Sequence, residues 1–81
     1  MKLPRNINGD DLIKNLRKFG YEINRQTGSH VRLTLNKAEN EYHLTIPRHK
    51  SLKIGTFNNI LNDIVAHLDI SKEELITSLF E

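Results

Sequence analysis

The side chains best suited to chemistry in this sequence are histidines near positive charge. His30 occupies a polar position in a stretch of alternating polar and apolar residues, two positions before Arg32. A second basic segment contains four more candidates: Arg48, His49, Lys50 and Lys53. An imidazole with an ordinary pKa of about 6.5 gives or takes a proton near neutral pH. Cations beside it can hold a phosphate and offset charge that develops in the transition state, so this combination predicts acid–base chemistry on a phosphodiester.

A metal site is the main competing use of these histidines. It would need His30, His43 and His49 to converge with the help of a carboxylate. The strand register predicted below puts Thr34, and not His30, opposite His43. We therefore expect no metal and no cofactor.

Several other classes of site are excluded. Ser29 and His30 are neighbours in the chain, so in a strand they point to opposite faces and cannot act as a nucleophile–base pair. The absence of cysteine excludes disulfides and thiol catalysis. A chain of 81 residues is one domain, too small to enclose a dinucleotide. No apolar run approaches about 18 residues, so we expect no signal peptide, no membrane contact and a cytoplasmic location.

Three predicted strands position the candidate residues. They are Tyr21–Gln26, His30–Asn36 and Glu41–Pro47, and the last two alternate strictly between polar and apolar residues. Alternation of this kind is typical of a sheet that is buried on one face and open on the other.

The same alternation predicts the register. A turn at 37–40 puts Leu33 opposite Leu44 and His30 opposite Pro47. A slip by one residue would put the apolar partners on opposite faces, so this register is well specified. A three-residue loop at 27–29 puts Ile23 opposite Leu33, on the buried face, and Gln26 opposite His30. The open face is then expected to present Glu22, Asn24, Gln26, His30, Arg32, Thr34, His43 and Thr45.

Helices are predicted before and after the sheet. The first runs from about Asp10 to Phe19, where Gly20 suits a helix end. The second begins at about Thr56 and runs to about Leu68, and a capping box, Ser71–Glu74, opens a third. The class is therefore α+β, an α-β-β-β-α arrangement with helices on one face of an antiparallel sheet in the order 1-2-3. We expect residues 1–81 to be a single domain with its core at about 9–68 and an extra helix at about 71–80.

The charges are unevenly distributed along the chain. Residues 1–61 contain eleven Lys and Arg and five Asp and Glu, a net charge of +6, whereas residues 62–81 have a net charge of −4. A basic body favours a polyanionic partner such as nucleic acid.

Two segments match the pattern of a known family. Residues 12–30, LIKNLRKFGYEINRQTGSH, read as a helix, a glycine and an aromatic residue, a strand, and G-S-H. Residues 45–61, TIPRHKSLKIGTFNNIL, follow the pattern V-P-R-H…G-T-L-x-x-I-L, with Phe57 in place of the commoner leucine. In this order the two segments resemble the HicA-type mRNA interferase toxins, also called YcfA-like proteins.

The resemblance implies both a fold and an activity. The fold would be similar to a double-stranded-RNA-binding domain. The activity would be a ribosome-independent RNA endonuclease acting on mRNA, neutralised by a cognate antitoxin of the HicB type. The family's functional histidine in G-S-H corresponds to His30, the expected catalytic residue. The expected substrate-binding residues are Gly28, Ser29, Arg32, Arg48, His49, Lys50 and Lys53.

RNA provides its own nucleophile, the 2′-hydroxyl. His30 would take that proton or protonate the leaving 5′-oxygen, giving a 2′,3′-cyclic phosphate. The second proton-transfer group stays open among Arg32, His49 and Lys50. Two other functions also stay open: a non-catalytic RNA-binding module that uses the same basic face, and a protein-interaction domain that uses the acidic third helix.

Overall fold

The fold consists of one three-stranded antiparallel sheet with helices packed on one of its faces. A computed structural model describes residue 4 and residues 6–80. In chain order the elements are α1 (Gly9–Leu16), a 3₁₀ turn (Arg17–Phe19), β1 (Glu22–Thr27), β2 (His30–Lys37), β3 (Asn40–Pro47), α2 (Ile54–Leu68) and α3 (Lys72–Phe80). The α+β class, the α-β-β-β-α order and the additional C-terminal helix are confirmed.

The first helix begins and ends at the residues that favour helix ends. The Asn8 Oδ1 accepts a hydrogen bond from the Asp10 N–H at 2.8 Å, as an N-cap should. The last predicted turn is a 3₁₀ turn, and Gly20 follows it with φ of +102°. A side chain at that φ would be strained, so the glycine permits the sharp exit into β1.

The predicted strand order and the register between β2 and β3 are confirmed. Leu33 lies opposite Leu44, and His30 lies opposite Pro47. The apolar side chains of these two strands lie in one cluster with those of the helices, and the core members from the sheet are Val31, Leu33, Leu35, Leu44 and Ile46. The polar residues that alternate with them in β2 and β3 therefore lie on the other face of the sheet. Within the described residues, no helix packs against that face.

The pairing of β1 with β2 differs from the prediction. The hairpin loop has two residues, Gly28 and Ser29, and Thr27 lies opposite His30, so the predicted pair of Gln26 with His30 is wrong. Gly28 has φ of +59°, which suits the first position of a type II′ turn. A bulge between Ile23 and Arg25 then restores the predicted pair of Ile23 with Leu33.

The shorter loop changes which β1 residues reach the open face. Arg25 lies opposite Arg32, so Arg25 and Thr27 lie on the open face. Gln26 lies opposite buried Val31, so its predicted place on the open face is wrong. Asn24, at the bulge, still reaches that face, because its Nδ2 donates to Thr34 Oγ1 at 2.9 Å.

Ile23 was expected in the core, but it is 52% exposed. It shares a face with its partner Leu33, which is fully buried. The difference arises because α1 and α2 both contact β3, the strand at the far edge of the sheet from β1. The helix layer therefore leaves part of the β1 edge uncovered.

The segment between β3 and α2 is held against the residues before α1. The Leu52 N–H donates to Ile7 O at 2.8 Å, the Gly9 N–H donates to His49 O at 2.9 Å, and the Leu52 side chain is buried. After this anchor the chain enters α2 at Ile54, two residues before the predicted start. The Lys53 carbonyl accepts from the Phe57 N–H and closes the first turn, so Thr56 is not the N-cap.

The third helix packs on the first two. The Glu74 N–H donates to Ser71 Oγ at 3.0 Å, which confirms one half of the predicted capping box. Leu75, Ile76 and Leu79 are buried in the same apolar cluster as the sheet. Within the described residues, none of the helices combines the length and the apolar character that crossing a membrane requires.

Candidate active site

His30 is the first residue of β2 and projects from the open face beside the hairpin turn. Its neighbours across the sheet are Thr27 in β1 and Pro47 in β3. The side chain is exposed and makes no hydrogen bond to any residue that the structure describes. The turn is fixed on both sides, because Gln26 Nε2 donates to Gly28 O at 3.0 Å and the Arg48 N–H donates to Ser29 O at 2.6 Å. Gly28 and Ser29 therefore form the turn that presents His30, within the loop predicted at 27–29, and their expected contact with substrate stays a prediction.

A shallow depression on the open face brings His30 together with two arginines. It has a volume of about 290 Å³. Its lining residues are Arg25, Thr27, His30, Arg32 and Thr45. None of the described residues that line it is a carboxylate, so this lining is positively charged whatever the protonation state of the imidazole. A cavity of this kind suits an anion next to a group that can transfer a proton.

Two of the lining residues, Arg25 and Thr27, were not among the residues predicted on the open face. Their place there follows from the two-residue loop, which pairs Thr27 with His30 and Arg25 with Arg32. The dipeptide Gly28-Ser29 between two strand-like runs is a signal for a two-residue loop, and it would have paired Thr27 with His30. The bulge has no comparable signal, because β1 contains a single apolar residue and its polar run fits more than one register.

Arg48 is engaged in contacts within the protein. Its Nε lies 2.6 Å from Asp10 Oδ1, and its Nη1 donates to Gln26 Oε1 at 3.1 Å. The hydrogen bond and the negative charge of Asp10 raise the pKa of the Arg48 guanidinium above its ordinary value. Arg48 thus lies near the hairpin turn, as expected, but its side chain points its donors at α1 and β1.

The other predicted cations lie outside the depression. His49, Lys50 and Lys53 are exposed, and none of them lines it. The backbone of this segment runs along Ile7 and Gly9 towards α2, which packs on the opposite face of the sheet. Their predicted contacts with substrate therefore stay predictions, whereas Arg32 lies beside His30.

The two remaining histidines have partners elsewhere. His43 Nε2 lies 3.0 Å from Glu41 Oε1, and its Nδ1 lies 3.1 Å from Thr34 Oγ1. It lies opposite Thr34, as predicted. Among the described residues no three potential metal-ligating side chains come together.

His67 joins α2 to the sheet. Its Nδ1 is hydrogen-bonded to the Tyr21 hydroxyl at 2.9 Å, and its ring stacks on Tyr42 with 4.6 Å between centroids. Burial lowers the pKa of His67, while the charge of Asp63 raises it and that of His43 lowers it. Burial also raises the pKa of the Tyr21 hydroxyl. These contacts give His67 a structural role between α2 and the sheet.

A second depression lies on the helix side, between the segment before α1 and the start of α2. It has a volume of about 230 Å³, and its lining is mainly apolar, including Ile7, Leu52 and Phe57. Among the described residues, no side chain that lines it titrates, so this depression offers no group for acid–base chemistry.

Comparison with known proteins assigns the chain to a family. No curated protein and no solved structure shows a significant match to it. A family model described as the HicA toxin of bacterial toxin–antitoxin systems matches residues 9–65. This span contains α1, the whole sheet and most of α2, and therefore includes the hairpin turn, His30 and both arginines of the depression. Because the match covers more than two thirds of the sequence, the chain belongs to the HicA toxin family of bacterial toxin–antitoxin systems.

Proposed function

We propose that this toxin is an endoribonuclease that cleaves mRNA without a metal ion and uses His30 as its general acid or base. Membership of the HicA family supports a toxin with an antitoxin partner. The nuclease activity rests on the open face. The observation that carries it is the grouping of one exposed imidazole with two guanidinium groups in a depression whose described lining contains no carboxylate.

The reaction would be a transfer within the RNA strand. The 2′-oxygen attacks phosphorus, the bond from phosphorus to the 5′-oxygen breaks, and the products are a 2′,3′-cyclic phosphate and a 5′-hydroxyl. One proton leaves the 2′-hydroxyl and one arrives at the 5′-oxygen. His30 would transfer one of them, and this role is supported by its exposed ring, which has no hydrogen-bond partner among the described residues.

The arginines have a different role. An arginine keeps its proton in proteins, so Arg32 would stabilise the charge on the phosphorane oxygens and would not transfer a proton. This leaves His49 and Lys50 as the candidates for the second proton transfer. Both follow Pro47, the residue opposite His30, but neither lines the depression. RNA would therefore have to lie across the sheet edge, so that its 5′-oxygen comes within reach of His49 or Lys50.

The partner and the location follow from the same proposal. An antitoxin of the HicB type would inhibit the enzyme by covering His30, and the net charge of +6 on residues 1–61 suits an acidic partner. The protein would act in the cytoplasm, where mRNA is present. The order of helices and strands supports the likeness to a double-stranded-RNA-binding domain that the sequence motifs imply.

The test is cleavage of RNA in EDTA by the wild-type protein and by two matched variants. His30→Ala should lower the rate by roughly 10²–10⁴-fold, the usual contribution of a general acid or base. His43→Ala removes an imidazole from the same face outside the depression, and it should cut at nearly the wild-type rate. Unfolding curves of both variants should match that of the wild type, because neither side chain is in the core.

Three results would contradict the proposal. A folded His30→Ala protein that cuts RNA at the wild-type rate would remove His30 as the catalytic residue. A wild-type protein that binds RNA in a salt-dependent manner and never cuts it would be a non-catalytic RNA-binding module. A protein that does not bind RNA even at low salt would instead favour a protein-interaction domain.

A further inference from the structure

Arg25 and Arg32 are direct partners across β1 and β2. Side chains in such a pair have Cβ atoms about 4.5–5.5 Å apart, and like charges placed in this way destabilise a sheet. A carboxylate beside the two arginines would offset this repulsion. The ion pairs within the described residues are those of Arg48 with Asp10 and of His43 with Glu41, so neither Arg25 nor Arg32 is in one. The pairing is therefore a local conflict in the fold, and conflicts of this kind concentrate at functional sites.

Arg32 adds an independent sign of a missing ligand. Its Nε is buried, and it has no hydrogen-bond partner within the part of the chain that the structure describes. Buried donors in folded proteins nearly always have an acceptor. Arg32 lies between Arg25 and Thr45 in the sheet, and all three line the depression next to His30. The unpaired donor therefore belongs to a side chain that lines the depression.

We propose that Arg25 and Arg32 together bind a single phosphodiester of a single-stranded nucleic acid, the one next to His30. Two guanidinium groups fit this ligand, because each offers planar pairs of N–H donors that match phosphate oxygens. The hydroxyl groups of Thr27 and Thr45 add donors at the rim of the same depression. Arg25 is thereby a substrate-binding residue, and the two-residue hairpin loop, which pairs it with Arg32, is what places it at the site.

This inference rests on the proposed function for the identity of the bound phosphate, but it can be tested separately. The probe is a fluorescein-labelled, single-stranded 2′-O-methyl RNA, which lacks the 2′-hydroxyl and cannot be cut by the proposed reaction. Fluorescence anisotropy measures its affinity over a series of salt concentrations. The proteins are the wild type, Arg25→Gln, Arg32→Gln and the double variant. Arg17→Gln is the matched control, since Arg17 is an exposed arginine in the 3₁₀ turn before β1, outside the depression.

Each single variant should weaken binding by roughly tenfold, as expected for the loss of a charge-assisted hydrogen bond. The salt slope should change little, because the remaining arginine still neutralises the same phosphate. The double variant should lower the slope by about 0.7, the value for one phosphate contact on a single strand. Its loss of affinity should be smaller than the product of the two single losses, because the two residues share one ligand. Arg17→Gln should bind like the wild type.

Other outcomes would overturn the inference. If each single variant lowers the slope by about 0.7 and the double variant by about 1.4, the arginines contact different phosphates. If Arg25→Gln binds like Arg17→Gln, Arg25 is not part of the site. Should Arg32→Gln fail to fold, Arg32→Lys replaces it and should lose affinity at an unchanged salt slope, since lysine keeps the charge without the paired donors. If Arg32→Lys loses no more affinity than Arg17→Gln does, the result would count against a shared phosphate.

The two proposals fail in different ways. A wild-type protein that binds the probe through both arginines but does not cut RNA would refute the nuclease and leave the phosphate site standing. A protein that cuts RNA through His30 while Arg25→Gln binds normally would refute the phosphate site and leave the nuclease.

Discussion

The Arg48 side chain pairs with Asp10, its Nε 2.6 Å from Oδ1, and so links the residue after β3 to the first turn of α1. The same guanidinium donates to Gln26 in β1 at 3.1 Å. The Arg48 N–H donates to Ser29 O at 2.6 Å in the turn before His30. Arg48 thus joins three elements around the hairpin turn, and its donors are committed before any phosphate arrives.

The first prediction separates Arg48 from Arg32 as phosphate ligands. Arg48→Gln should weaken binding of single-stranded RNA less than Arg32→Gln does, because its guanidinium is already satisfied by Asp10 and Gln26. Fluorescence anisotropy at low salt measures both affinities.

Asp10→Asn is the control for this comparison. It removes the negative charge that pairs with Arg48 without removing the cation, so a phosphate-binding Arg48 would make this variant bind more tightly. We expect only the small rise that follows from losing one negative charge. Equal losses for Arg48→Gln and Arg32→Gln would show that RNA takes Arg48 from Asp10.

The second prediction concerns the close approach of α1 to the end of β3. A Cβ added to Gly9 would overlap the carbonyl oxygen of Pro47 and lie 3.2 Å from the Arg48 Cα. Both are backbone groups, which cannot rotate away, so Gly9→Ala should destabilise the fold by about 1–3 kcal/mol. Gly55→Ala is the matched control, because nothing lies within 4 Å of its Cβ position and alanine favours a helix. Urea unfolding of both variants measures the difference, and equal stabilities would contradict the packing of α1 on β3.

The part of the fold that could be predicted correctly is the pairing of β2 with β3, because the apolar patterns of the two strands constrain each other. The apolar residues of β2 and β3 alternate along both strands, so one register keeps them together, and the pair of Leu33 with Leu44 was predictable for that reason. In β1 the one apolar residue, Ile23, fixes its own partner and leaves the rest of the strand undetermined. Its exposure depends on where the helices lie over the sheet, and local sequence does not encode that position.

The candidate site divides along the same line. His30 and Arg32 are at alternate positions of a well-determined strand, so their place on the open face could be predicted. Arg25 reaches that face because the hairpin loop has two residues and not the predicted three, and the polar residues of β1 have no alternation that would distinguish the two registers. Arg48 looked like a free cation because Asp10 is distant in sequence, and only the packing of α1 on β3 brings the two together.

The third prediction is a dependence of stability on the protonation of His67. In the folded protein burial lowers the pKa of this imidazole, whose Nδ1 is bonded to the Tyr21 hydroxyl. The unfolded chain therefore binds the proton more tightly, with a pKa of about 6.5. The free energy of unfolding should fall as the pH falls through 6.5, and the loss is complete below the folded pKa.

His67→Gln isolates this contribution, because glutamine can still accept the hydrogen bond from Tyr21 but does not titrate. Urea unfolding of both proteins from about pH 7.5 to about pH 5 should show the steeper decline in the wild type. Asp63, His43 and the other titrating groups are present in both, so their effects largely cancel in the difference. Parallel curves would show that His67 titrates alike in the folded and unfolded states.

The fourth prediction concerns inhibition by the antitoxin that this toxin family implies. An inhibitor works most simply by covering the site, so the cognate antitoxin should bury His30 and place acidic groups on Arg25 and Arg32. The labelled 2′-O-methyl RNA should then be displaced in proportion to the antitoxin added.

The rate of association between toxin and antitoxin should fall as salt rises, because opposite charges steer the encounter. Arg25→Gln and Arg32→Gln should slow association more than Arg17→Gln, which removes the same charge elsewhere on the protein. A ternary complex of toxin, antitoxin and RNA that leaves the anisotropy of the probe unchanged would show that inhibition acts away from the open face.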